Sequence, residues 1–77
     1  CLSGVDAEVL AFVVKPKSHI TKKPVKKLRF PENAIIGGVI RGNDSLIGVG
    51  DLQIQSDDRV VVFALPDAIQ KVNRFFQ

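Results

Sequence analysis

Arg41 closes the apolar run Ala34 to Ile40 and directly precedes Gly42-Asn43-Asp44. A guanidinium in that place can offer two parallel donors to a phosphate. The alternative is a solvated side chain at a hairpin end, where surface pairs contribute little. Lys22, Lys23, Lys26 and Lys27 make a second cationic feature, which can hold an anion or face a membrane surface, or simply form the wet side of a short helix. Asp51, Asp57 and Asp58 occupy turn positions; a cation site would need oxygens converging from several of them, and no metal ligand set is assigned. His19, the single histidine, has no nucleophile or acid partner at recognisable spacing and reads as a loop residue. Cys1 is a terminal residue, expected to be disordered rather than reactive. No catalytic residues are assigned, and the chain is read as a non-enzyme.

Seventy-seven residues with 45% hydrophobic and 25% charged side chains suit one ordinary globular domain spanning residues 1–77. A chain this short buries only roughly 60% of the surface it exposes when unfolded, so a partner subunit or neighbouring domain is expected to support it. It holds no methionine, which suggests a fragment cut from a longer protein. One cysteine excludes an internal disulfide framework and fits a reducing compartment. A lipid-bearing terminal cysteine is the other reading, but Val5 begins an apolar pattern too soon to leave a tether. The net charge of +3 is concentrated between Lys15 and Arg29. With no tyrosine or tryptophan to interleave with those lysines, nucleic acid is not an expected partner.

The elements that must position these residues follow from periodicity and punctuation. Val5 to Val14 alternates and then turns apolar on both faces, a strand entering the core, and Pro16 stops it. Ser18 to Thr21 reads as a loop. Pro24 to Leu28 or Arg29 reads as a short helix with Pro24 at its first position, Val25 and Leu28 on one face, and Pro31 barring continuation. Ala34 to Arg41 is a second strand whose Gly37-Gly38 pair marks either a bulge or a close approach of ligand or second subunit. Gly42-Asn43-Asp44 turns the chain into a third strand, Ser45 to Val49, and Leu52 to Ile54 makes a further short strand. Arg59 to Ala64, apolar on both faces, is expected at the centre of the sheet. A final helix opens at Pro66-Asp67, with Asp67 as cap, Gln70 completing an approximate capping box, and Ile69, Val72, Phe75 and Phe76 as its apolar stripe. The order β-α-β-β-(β)-β-α implies an α+β fold, a small, mostly antiparallel sheet covered by a short crossover helix and a C-terminal helix.

The stretch from Gly50 to Phe63 follows the spacing G-D-x-x-(apolar)-x-x-x-D-x-(apolar run). That spacing resembles the signature of the TrkA C-terminal domain, the ligand-sensing lobe that follows the nucleotide-binding lobe in regulators of potassium channels and transporters. Ser18 to Leu28 is similar to the family's serine, short-helix, leucine segment, Ala34 to Gly42 to its second strand ending in arginine, and Phe75-Phe76 to its close. Two positions depart from the pattern. Lys22 stands where the family usually has glycine, and Asp57-Asp58 where it often has Gly-Asp; both are tolerable if the backbone there does not require positive φ.

The resemblance implies a regulatory, non-catalytic, cytoplasmic domain, peripheral to or tethered at the inner face of the cell membrane and working as a homodimer. Its partners would be a membrane potassium transporter or channel subunit and an upstream nucleotide-binding domain. NAD(H) or ATP would belong to that upstream domain, leaving no cofactor in this one. Some relatives take a cyclic dinucleotide at the cleft between two such domains. By resemblance, Ile35 and Ile36 would sandwich its bases and Arg41 would meet phosphate, while Leu46 and Ile47 stand where polar partners are expected. The alternative is an oligomerisation or docking module within an unrelated anion or amino-acid membrane transporter.

Overall fold

The valine-rich run Arg59–Ala64 is an interior strand, paired along both of its edges. The computed structural model describes residues 6–47 and 49–77. Its strands are β1 (Glu8–Val13), β2 (Ala34–Arg41), β3 (Asp44–Leu46) and β4 (Arg59–Ala64), followed by one α-helix, α1 (Ile69–Phe75). They form one four-stranded sheet in the order β1-β4-β2-β3, with every pairing antiparallel. This is the expected α+β architecture with the expected central strand, and β2 and β4 have the bounds read from the sequence.

Alternation along β4 decides what each face does. Val60, Val62 and Ala64 point inward and are buried, whereas Arg59, Val61 and Phe63 point to the opposite face, where Arg59 and Phe63 are exposed. The inner face meets Val39 of β2, Val14, Ile20 and Ile54 from the connections, and Ala68, Val72 and Phe76 from the C-terminal segment. Each such valine, isoleucine or phenylalanine contributes roughly 1.5–3 kcal/mol when fully buried. Phe12 of β1 stacks on Phe76 with ring centroids 3.9 Å apart and planes within 2°. Seven residues of α1 cannot hold a helix in water alone; Val72 and Phe76 packed on the sheet hold it.

Several local expectations are corrected. The crossover helix is a 3₁₀ turn, Val25–Lys27, because Pro24 stays extended before it and Leu28 is extended again after it. Ser18–Thr21 is no open loop: His19–Thr21 is a 3₁₀ turn, with Ser18 and Ile20 buried. The further strand at Leu52–Ile54 is absent. Val49–Asp51 forms a 3₁₀ turn, and the chain after it is pinned by Val25 N–H donating to the Leu52 carbonyl (2.9 Å) and Gln53 Nε2 donating to the Thr21 carbonyl (2.8 Å). The third strand starts at Asp44 and ends at Leu46. Asp67 caps nothing: its carboxylate accepts from Asn33 Nδ2 at 2.9 and 3.2 Å, a 3₁₀ turn over Pro66–Ala68 opens the segment, and α1 starts at Ile69. Among the described residues, helical structure covers only the inner face. Cys1, Val5 and Gly48 lie outside the described residues.

Candidate functional site

The register of β2 against β4 places Ile40 opposite Arg59, so continuing it one step brings Arg41 beside Asp58. Arg41 Nε donates to Asp58 Oδ1 at 2.9 Å and Nη2 to Oδ2 at 2.8 Å, a bidentate pair. Nη2 also donates to the Gln53 carbonyl at 3.3 Å, and the Gln55 N–H donates to Asp58 Oδ2 at 2.9 Å. Asp58 is 2% exposed, while the Arg41 side chain is partly open to solvent. The Arg41 hydrogen bonds hold the Asp58 carboxyl below the usual carboxylate range, with the Gln55 amide assisting and burial opposing. The same bonds raise Arg41 above its ordinary value. Arg41 is therefore not the free hairpin-end side chain of the solvated reading, and two of its three guanidinium nitrogens are engaged within the chain. Asp58 is a buried ion-pair partner rather than a mere turn residue.

The turn that delivers Asp58 carries backbone strain. Asp58 N–H donates to the Gln55 carbonyl at 3.1 Å, and Asp57 between them has φ 72°, the i+2 position of a turn that favours glycine. The backbone does require positive φ at this departure from the family pattern. At the other departure it does not, since Lys22 sits at φ −76°. Reciprocal bonds tie this turn to the end of β1, with Val14 N–H donating to the Asp58 carbonyl and Asp57 N–H to the Val14 carbonyl, both 2.8 Å.

Ile35 and Ile36 lie at the other end of β2. β3 pairs only with Val39–Arg41, so among the described residues the opposite edge of β2 from Ala34 to Gly38 has no ladder partner. Beside that edge runs a groove of about 430 Å³ lined by Val25, Phe30, Ile35, Ile36, Ile47 and Val49, among others. As adjacent strand residues the two isoleucines point to opposite faces: Ile36 inward and half-buried, Ile35 outward and 65% exposed. Arg41 is not in that lining. The structure thus brings Ile35 and Ile36 to one groove and holds Arg41 about 16 Å further along the strand, by the usual rise per residue.

Gly37-Gly38 is a bulge, with the β2–β4 register shifting between Ile36 and Gly38. The Phe63 ring lies over Gly37, so that a Cβ there would stand 2.3 Å from Phe63 Cε2. Of the lysine cluster, Lys26 reaches Asp51 at 2.6 Å across an exposed pair, tying the Val25–Lys27 turn to Val49–Asp51. Lys22, Lys23 and Lys27 are exposed. Among the described residues, no three His, Cys, Asp or Glu side chains gather as metal ligands, and no helix is long and apolar enough to cross a membrane.

Ile35 and Ile36, named from the sequence, both line the β2 groove, whereas the partner of Arg41 was missed. The signal was present: an antiparallel β2–β4 pairing with Ile40 facing Arg59 makes Arg41 and Asp58 neighbours.

Comparison with known proteins adds the family. The chain is 36% identical over 76 residues to "Trk system potassium uptake protein TrkA homolog 1" of Methanosarcina mazei. It is 37% identical over 76 residues to the TrkA homolog of Archaeoglobus fulgidus and 31% identical over 72 residues to that of Pyrococcus abyssi. Those matches cover 99%, 99% and 92% of this chain but only 17%, 17% and 32% of the relatives, so it spans a minor part of their length. The model of the TrkA-C domain matches residues 9–77; with the β2 groove, the Arg41–Asp58 pair and α1 all within that match, the chain belongs to the TrkA-C domain family.

Proposed function

We propose that this chain is the regulatory, non-catalytic domain of a Trk-type potassium uptake system, that it pairs with a second copy of itself, and that it senses a cyclic dinucleotide along the open edge of β2. The observation that carries the reading is the apolar groove beside unpaired β2 backbone, lined by Ile35 and Ile36, in a chain of the TrkA-C family. The names of its relatives, potassium uptake proteins of archaea, support the transport context over an unrelated anion or amino-acid transporter. In this reading the parent protein carries a nucleotide-binding lobe, which holds NAD(H) or ATP, and acts at the cytoplasmic face of the membrane on a potassium transporter or channel subunit.

The mechanism is a population shift. An effector that binds one relative arrangement of two domains more tightly than another biases the arrangement by that difference in affinity, and the coupling is reciprocal. Ile35 and Ile36 supply apolar walls for planar bases. Arg41 keeps Nη1, the nitrogen not given to Asp58 or Gln53, for an effector phosphate.

A thermal-shift series with cyclic dinucleotides, mononucleotides and potassium tests the sensing part. A ligand selective for the folded chain stabilises it by about 2.7 kcal/mol at a hundredfold excess over its dissociation constant. A cyclic dinucleotide is expected to raise the melting temperature in the intact chain and not in Ile35→Asp, a change at an exposed position. An unchanged melting temperature with every cyclic dinucleotide contradicts effector sensing by this domain.

A further inference from the structure

The layer that covers the inner face of the sheet is cationic on its own outer side. From Lys15 to Arg29 the chain carries seven lysine and arginine side chains and no carboxylate, and all seven are exposed. Contacts on both sides fix where this segment runs. Towards α1, the His19 N–H donates to the Gln77 carbonyl (3.3 Å), and the Phe30 and Phe75 ring centroids are 5.2 Å apart. On the other side, Val25 and Lys26 hold Leu52 and Asp51. Ile20 is buried, and Val25 and Leu28 are half-buried against the core. The side chains between them therefore turn away from the sheet: Lys22, Lys23, Lys26, Lys27 and Arg29. Exposed Arg74 of α1, which shares a hollow with His19, continues the same surface. Among the described residues, Lys26 alone of these cations has a carboxylate partner, Asp51. Glu32 and Asp67 stand at the border, around a hollow shared with Lys71.

We infer that this cationic side of the domain lies against the anionic lipid headgroups of a bilayer. The inference rests on the potassium-uptake reading above and names the chemistry of its contact with the membrane. A small anion needs convergent donors, whereas Lys22, Lys23, Lys27 and Arg29 are spread over the layer and none of them lines the β2 groove. A bilayer surface asks for no convergence, because each basic residue within a Debye length of it is attracted separately. Nucleic acid suits the layer less well. Its aromatic rings, Phe30, Phe75 and Phe76, pack on one another and on Phe12 instead of being offered to bases. The cytoplasmic loops of a transporter are themselves rich in lysine and arginine, so they repel this surface while the lipid around them attracts it.

Cosedimentation of the 77-residue chain with vesicles of phosphatidylcholine, alone or mixed with an equal part of phosphatidylglycerol, tests the contact; melting curves confirm that each variant folds. Binding is expected to the mixed vesicles only, and to fall steeply with added salt. Each basic residue near such a surface changes partitioning about fivefold. Lys22→Gln with Lys23→Gln should therefore weaken binding about twentyfold, and Lys27→Gln with Arg29→Gln by as much. Arg59→Glu removes the same net charge from the opposite, uncovered face of the sheet and should change binding by less than about twofold. Losses in the double variants no larger than that of Arg59→Glu overturn the surface. Tighter binding to duplex DNA than to the mixed vesicles at the same salt overturns the choice of lipid. Absence of binding to the mixed vesicles at low salt removes the inference and leaves the potassium-uptake reading standing, since effector sensing is tested separately by thermal shift.

Discussion

Asp58 shows how one residue couples fold and acidity. Its carboxylate is buried, doubly bonded by Arg41 and bonded again by the Gln55 amide, so the folded chain binds that proton less readily than the unfolded chain does. Ionised Asp58 therefore stabilises the fold fully above the unfolded carboxylate value of about 3.9. The contribution is lost as pH falls through the lower folded value. Asp58→Asn leaves donors facing a donor and is expected to lower stability at neutral pH by about 1–3 kcal/mol. It should also flatten the dependence of stability on pH below about pH 4. Urea denaturation at several pH values reads both effects; parallel curves for the two proteins would contradict the assignment. Arg41→Ala should fall in the same direction at neutral pH, since it leaves the buried carboxylate without its principal donor. Neither change isolates effector binding, because Arg41 serves the fold first. Ile35 separates the two roles.

At the scale of elements, the turns carry as much structure as the strands. The Gln55–Asp58 turn delivers Asp58 to Arg41 and closes on the Val14 backbone, yet it holds Asp57 at φ 72°, where an L side chain is strained. Asp57→Gly is expected to stabilise the chain by about 0.5–1 kcal/mol, visible as a higher denaturation midpoint with unchanged slope. A lower midpoint would mean that the Asp57 side chain contributes more than its backbone strain removes. This strain was legible as a departure from the family's Gly-Asp, although only the structure supplies φ. The strands were legible because alternation and β-branched runs state which residues pair, and β2 and β4 follow those limits. The 3₁₀ turns were not. Val25–Lys27 and Val49–Asp51 are set by contacts with each other, through Lys26–Asp51 and Val25–Leu52, and such long-range closure leaves no local periodicity. The capping box at Asp67 failed for the same reason, because Asn33, distant in sequence, takes the carboxylate.

For the whole molecule, the central strand was legible and the asymmetry of the sheet was not. The sequence led to a central strand in a sheet covered by helices without saying which face they take; α1 and the 3₁₀ turns cover one and leave Val9, Val13 and Phe63 on the other. Similarly, Ile35 and Ile36 were read as one base clamp, and their groove depends on β3 stopping at Leu46 so that half of β2 keeps a free edge. Both surfaces point outward, in a chain whose relatives are several times longer. The measurement closest to the central claim is potassium uptake by the Methanosarcina mazei relative with its matching segment replaced by these 77 residues, in a host deficient in uptake. The chimera is expected to restore uptake that truncation of that segment removes, and Ile35→Asp within it to leave uptake that no longer answers to a cyclic dinucleotide. A stably produced chimera that transports no better than the truncated protein would contradict a regulatory role in potassium uptake.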